Sequence, residues 1–364
     1  MTMEITGSVQ WQAWQDKVMP PVERVSDGLW SIPVPIPRNP LRYVLVYALE
    51  CRDGLVLIDA GWDDDVSWLA LTEGVRATGH DIKDVRAVLV THHHADHLGL
   101  AGRVREASGA WVALHALDAA AARTTPSSAG GLAEDIRGHL ELHGVPAGEA
   151  RRTVGALDVG RSLDAPPADV LLEDGEAIRV PGLDLRVIWT PGHSPGHSCF
   201  YEPDRRLLFS GDHVLPRITP QIAVYAQTQG DPLADFLRSL ERLDRFAVDE
   251  VLPAHEYRFK GLDERTAYMA RHHTERLAEL DACVGKKPGS TAWELSSQLV
   301  WSRPWDTFDT TSRRFALAET IAHLVLLRNR GTVHSADGHP VRWFPSAADR
   351  PEGRPARQDL PGAR

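Results

Sequence analysis

Thr91-His92-His93-His94-Ala95-Asp96-His97 is the stretch from which the rest of the chain is read. The apolar run 85–90 before it reads as a buried strand, and 98–104 after it reads as the start of a helix. Histidines and an aspartate therefore stand at the carboxyl end of a strand, where α/β folds place ligands. Imidazole nitrogen with carboxylate oxygen is a donor set for zinc and other borderline divalent metals. The pattern His-x-His-x-Asp-His is met by His92, His94, Asp96 and His97, with His93 as filler. Side chains at i and i+2 of an extended segment point the same way. His92 and His94 thus face one position, and the chain must turn for Asp96 and His97 to face a neighbouring one. The spacing predicts two adjacent metal ions rather than one. A surface loop that happens to be rich in histidine is the bland alternative, and the candidate ligands further along argue against it.

Upstream, 28–34, 41–49 and 55–58 read as strands, the last ending at Asp59-Ala60-Gly61. Alone, such an aspartate caps a turn; beside a metal site it would orient a ligand or face the substrate. Residues 66–77 read as a helix, 111–114 as a strand, and 116–158 as a helical insertion near the mouth of the site. His115, His139 and His143, in or beside that insertion, are expected to be solvated or locally hydrogen-bonded. Strands are expected at 170–172, 177–180 and 183–189, followed by the tight turn Thr190-Pro191-Gly192-His193-Ser194-Pro195-Gly196-His197. Strands at 198–201 and 206–209 follow, the second running into Asp212-His213; a helix at 232–245 precedes a strand at 250–252 that ends in His255-Glu256-Tyr257. Strand after strand ends in His or Asp, which implies one sheet rim with a metal centre on it.

The bulk properties narrow the class. The chain has 364 residues, 43% hydrophobic and 25% charged, as expected for a globular protein with one large domain and a small one. A net charge of −10 argues against a dedicated nucleic-acid binder. Cys51, Cys199 and Cys283 show no CxxC spacing and read as small core residues in a reducing, cytoplasmic setting. No secretory h-region opens the sequence, and no apolar run is long enough to span a membrane.

These motifs resemble the metallo-β-lactamase fold superfamily of metallohydrolases over about 28–258. The resemblance implies an α/β fold, an αββα sandwich. It implies that His92, His94 and His193 hold one metal ion, that Asp96, His97 and His255 hold a second, that Asp212 bridges them, and that Asp59 orients a ligand. Two divalent ions, zinc by preference with iron or manganese as alternatives, would share a hydroxide that attacks the substrate, Asp96 accepting its proton. The 190–197 turn and His255-Glu256-Tyr257 look most like the hydroxyacylglutathione hydrolase (glyoxalase II) branch, so a thioester of acyl-CoA or acyl-glutathione type is the expected small-molecule substrate. His213, Tyr225 and Tyr257 are the candidate substrate contacts. Competing expectations are a phosphodiesterase or ribonuclease with the same metals, a mononuclear iron dioxygenase, and a binding module with a vestigial site.

The flanks depart from that branch. Residues 1–27 read as an N-terminal extension with a short amphipathic helix around Trp11 and Trp14. The catalytic domain is expected over 28–284. Residues 285–345 read as helix (291–301), helix (314–328) and a hairpin turning at Asp337-Gly338, which resembles a small winged-helix domain able to form a homodimer or line a substrate channel. The Pro-, Arg- and Gly-rich stretch 346–364 reads as a disordered tail.

Overall fold

The structure, a computed structural model, describes residues 3–123, 129–156 and 166–346. Of the tail expected over 346–364, residues 347–364 lie outside the described residues, as do parts of the 116–158 insertion. Two mixed sheets dominate. The 7-stranded sheet runs, edge to edge, Glu23–Ser26, Leu29–Pro35, Tyr43–Cys51, Gly54–Ile58, Val85–Leu89, Trp111–His115 and Val170–Leu172. The 6-stranded sheet runs Glu4–Ile5, Phe259–Lys260, Glu250–Pro253, Leu207–Gly211, Ser198–Glu202 and Arg186–Trp189.

Why the sheets stack is written in the alternation of side chains. Along Tyr43–Cys51, Tyr43, Leu45, Tyr47 and Leu49 join one apolar cluster, and Val44, Val46 and Ala48 join another. The first cluster also takes Phe200, Phe209 and Leu252 from the other sheet, so it is the seam between the two. Neighbouring strand residues face opposite ways, and both faces are dry, so these strands read as nearly continuous apolar runs. The outer face of the first sheet is covered by Leu71 and Val75 of the helix Asp65–Ala77 and Val104 of the helix Ala101–Ser108. The outer face of the second is covered by Phe236, Leu240 and Leu243 of the helix Pro232–Leu243, which starts on an Asp231 cap with proline in its first turn. Helix, sheet, sheet, helix: the expected αββα sandwich is what the structure shows.

One stretch differs from the sequence reading. The segments 177–180 and 183–185 form no ladder beyond an Ala177–Arg186 bridge; the strand is Arg186–Trp189 alone. Gly182, at φ +92, turns the chain too sharply for regular pairing, while Ile178, Val180 and Leu185 still enter the inter-sheet core. The insertion is helical where described, as Ala116–Arg123, Ala129–Leu142 and Ala147–Ala156.

The C-terminal region supplies a short helix Ala292–Ser296, a long helix Thr310–Asn329 and a hairpin of Val333–Ala336 with Arg342–Pro345. Leu317, Ile321 and Leu324 of the long helix share one apolar cluster with Phe236, with Met269, Leu277 and Leu280 of the helix Leu262–Lys286, and with Leu208 of the second sheet. No helix among the described residues is long and apolar enough to cross a membrane.

Candidate metal centre

Each candidate ligand is delivered by the end of an element. The strand Val85–Leu89 leads to Thr91 and His92, and a four-residue helix, Ala95–Leu98, swings Asp96 and His97 around. The parallel neighbour Gly54–Ile58 ends at Asp59, whose φ of +63 lies in the left-handed region. Strain of that kind persists only where surroundings enforce it. Here the Asp59 carboxylate accepts hydrogen bonds from Thr91 N (2.8 Å), from Thr91 Oγ1 (3.0 Å) and from His97 Nδ1 (2.8 Å). The strand Leu207–Gly211 turns at Gly211, where φ is +50 and an added Cβ would sit 2.8 Å from Thr91 Cβ. Glycine therefore lets Asp212 close onto the histidine loop. His255 follows the strand Glu250–Pro253, and His193 lies in the turn after Arg186–Trp189.

The seven predicted ligands converge. His94 Nδ1 lies 2.9 Å from His92 Nε2 and 3.0 Å from His193 Nε2. His255 Nε2 and His97 Nε2 stand 3.6 and 3.8 Å from Asp96 Oδ2. Asp212 reaches both groups: its Oδ2 is 3.5 Å from His193 Nε2, and its Oδ1 is 3.2 Å from His255 Nε2 and 3.6 Å from His97 Nε2. Donors around a tetrahedral zinc at about 2.0–2.1 Å are separated by roughly 3.3 Å, so this spacing fits cations. A second observation agrees. His97 Nε2, His255 Nε2 and Asp212 Oδ1 are buried without a hydrogen-bond partner, a costly state that a cation relieves.

The outer ring nitrogens fix which nitrogen faces inward. Nδ1 of His193 donates to Gln221 O (3.0 Å), and Nδ1 of His255 to Tyr43 O (2.9 Å). With His97 Nδ1 on Asp59, all three rings turn an Nε2 lone pair to the centre. Burial and neighbouring imidazoles hold His92 and His94 well below the ordinary range, so both stay neutral. Burial opposes charge on His97 too, but Asp59, Asp96 and Asp212 outweigh it and raise that ring to about 10. His255 is likewise raised, against its burial, by Asp212 and Asp96. The second half of the site is thus short of positive charge, which a proton or a metal ion can supply.

The other singled-out residues fall elsewhere. His213 is fully buried, its ring 4.9 Å from Phe236 and 5.7 Å from His197. Tyr257 is also buried, at 3% exposure, with Glu256, Arg217 and Arg265 as its charged neighbours. Tyr225 is half-buried under the Arg314 guanidinium, 4.8 Å from its ring, on the same loop as Gln221. His197 accepts from Asp212 N at Nε2 (3.2 Å), so its proton sits on Nδ1 and goes to Thr190 Oγ1. His115 stacks on Trp189 at 5.3 Å, and His139 and His143 pack edge to face at 4.6 Å. Cys199 is a core residue whose thiol burial raises to about 12. Sequence reasoning passed over Asp118, whose buried carboxylate binds His93 N, Ser194 Oγ and Gly196 N. An acid in the first turn of the helix Ala116–Arg123 looks like an ordinary dipole partner, and nothing in its local sequence says otherwise.

Converging histidines and aspartates on the rim of an αββα sandwich define a metal-binding protein of hydrolase type. The profile of the metallo-beta-lactamase superfamily matches residues 39–255, and the chain belongs to that superfamily. A metallo-beta-lactamase family protein of Thermus thermophilus superposes with a TM-score of 0.75 at 34% identity, over 88% of this chain and 100% of that one. The "Probable metallo-hydrolase YqjP" of Bacillus subtilis (strain 168) is 28% identical over 269 residues, 70% of this chain and 80% of the relative. A hydroxyacylglutathione hydrolase of Cereibacter sphaeroides is 39% identical over 80 residues, 21% of this chain and 31% of the relative. Family and geometry together support a metal-binding hydrolase.

Proposed function

We propose that the chain hydrolyses a thioester of acyl-CoA or acyl-glutathione type with two divalent cations, zinc by preference. The observation that carries this reading is the reach of Asp212, one oxygen toward each half of the ligand set. The thioester itself is supported by the short stretch shared with a hydroxyacylglutathione hydrolase and by the 190–197 and 255–257 motifs.

His92, His94 and His193 would hold one ion, Asp96, His97 and His255 the other, and Asp212 both. Bound cations supply a hydroxide nucleophile near neutral pH and an electrophilic contact for the scissile carbonyl. The chain's own groups do the rest. Asp59 fixes the His97 ring. Asp96, whose side chain is 15% exposed, is the carboxylate of the set placed to take the proton released on attack. Tyr225, beside Arg314, is the residue of the three substrate candidates that is not sealed in the core, and we assign it to the thiol half of the substrate.

The test is thiol release by purified, zinc-loaded protein from acetyl-CoA, S-lactoylglutathione and S-acetyl-N-acetylcysteamine, beside metal analysis. Turnover of at least one is expected, with two metal equivalents per chain. No thiol release from any of them, or cleavage of single-stranded RNA instead, sinks the thioester reading.

A further inference from the structure

The two loops that carry His92, His94 and His193 lie far apart in sequence, and a single carboxylate ties them together. Asp118 is fully buried. Its Oδ2 accepts from His93 N (2.9 Å) and from Ser194 Oγ (2.7 Å), and lies 3.0 Å from His93 Nδ1. Its Oδ1 accepts from Gly196 N (2.6 Å). His93 sits between the ligands His92 and His94, and Ser194 follows the ligand His193. Gly196 is pressed so closely that an added Cβ would stand 2.8 Å from Asp118 Cβ and 2.6 Å from its nitrogen. Burial acts against the charge, but the bonds from His93 and Ser194 hold the carboxyl below its usual range.

We propose that Asp118 is a positioning residue for the His92–His94–His193 half of the metal centre; this rests on the metal reading above. A charged carboxylate receiving several donors makes stronger bonds than a neutral acceptor, and losing it strands donors on both loops at once. None of its bonds reaches Asp96, His97 or His255; His97 is held by Asp59 and His255 by the Tyr43 carbonyl instead. Asp118 thus bears on the first half alone, whereas Asp59 holds His97 of the second and, through Thr91, also reaches His92.

Zinc titration of metal-free protein against a chromophoric chelator reads the two affinities stepwise. Loss of an outer orienting group weakens metal binding about 10–100-fold. Asp118→Asn should therefore weaken one equivalent by about that factor and leave the other within about threefold. Adding His255→Ala should then remove the remaining tight site. Leu71→Ala, a buried cavity-forming change in the outer helical layer, serves as the control for general destabilisation and should leave both equivalents intact. Equal weakening of both equivalents in Asp118→Asn, no weakening, or the same weakening in Leu71→Ala overturns the proposal. Should Asp118→Asn not fold, Ser194→Ala removes one donor and leaves the carboxylate; a smaller loss in the same single equivalent is expected, and an unselective or absent loss overturns it. Wild-type protein that takes up no zinc overturns the metal reading itself, a result distinct from these.

Discussion

Two groups of buried imidazoles stand in this molecule under opposite conditions. At the rim, His97 and His255 face Asp59, Asp96 and Asp212 and are pushed toward the charged form against their burial. In the C-terminal layer, His273 and His323 meet each other at 3.2 Å, with Phe236 5.4 Å from His273. Burial drives them down, to about 2 and about 4. Glu319 beside them is pushed up to about 7 by the same burial and carries no full charge to offset it. Among the described residues, every group of three or more metal-type donors lies at the rim. Burying a histidine does not make a ligand; orphaned lone pairs aimed at shared carboxylates do.

The sharpest way to break that contrast is His94→Ala. With one ligand gone from the first group, metal content should fall and thioester hydrolysis drop at least about a thousandfold, as expected when several kcal/mol of metal stabilisation are lost. Full activity with intact metal content would place the chemistry elsewhere. Asp59→Ala should come next: the His97 ring loses its anchor, and metal affinity or turnover falls about 10–100-fold, read by titration and thiol release.

The C-terminal pair makes the opposite prediction. His273 titrates near 6.5 when unfolded and about 2 when folded. Between these values the unfolded chain binds the proton and the folded chain does not, so its stability contribution is complete above 6.5 and is lost as pH falls. His323 acts in the same direction down to about 4. Glu319, raised to about 7, acts oppositely between 4.5 and 7. Two imidazoles against one carboxyl should lower the melting temperature from pH 7 to pH 5. His273→Leu should make that decline shallower while zinc content at pH 7 stays unchanged; a metal loss there would erase the distinction between the groups. The smallest effect is expected at Tyr225→Phe, where loss of one hydroxyl contact worth about 1 kcal/mol raises KM less than about tenfold and leaves metal content alone.

Most of the rim was legible because strand ends are legible. Apolar runs stopping at Asp59, His92, His193, Asp212 and His255 announce a shared edge, since each is short, periodic and followed by a turn. What lay hidden depends on the third dimension. Asp118 carries no motif, because its partners His93, Ser194 and Gly196 arrive from two other segments. His213 follows Asp212 in sequence, and nothing local announces that its ring packs against Phe236 of the helix Pro232–Leu243. The segment 183–185 has strand composition, and a left-handed glycine before it denies it a ladder.

The continuity of the C-terminal layer with the second sheet bears on how this chain can be handled. The helix Leu262–Lys286 buries Met269, Leu277 and Leu280 in a cluster that Leu317 and Ile321 help to close. Cutting the chain near 285 would wet that surface and strip the support from Pro232–Leu243, whose Phe236 backs His213 next to Asp212. A trimmed fragment should precipitate before it could be assayed, so catalysis in this protein has to be dissected one side chain at a time.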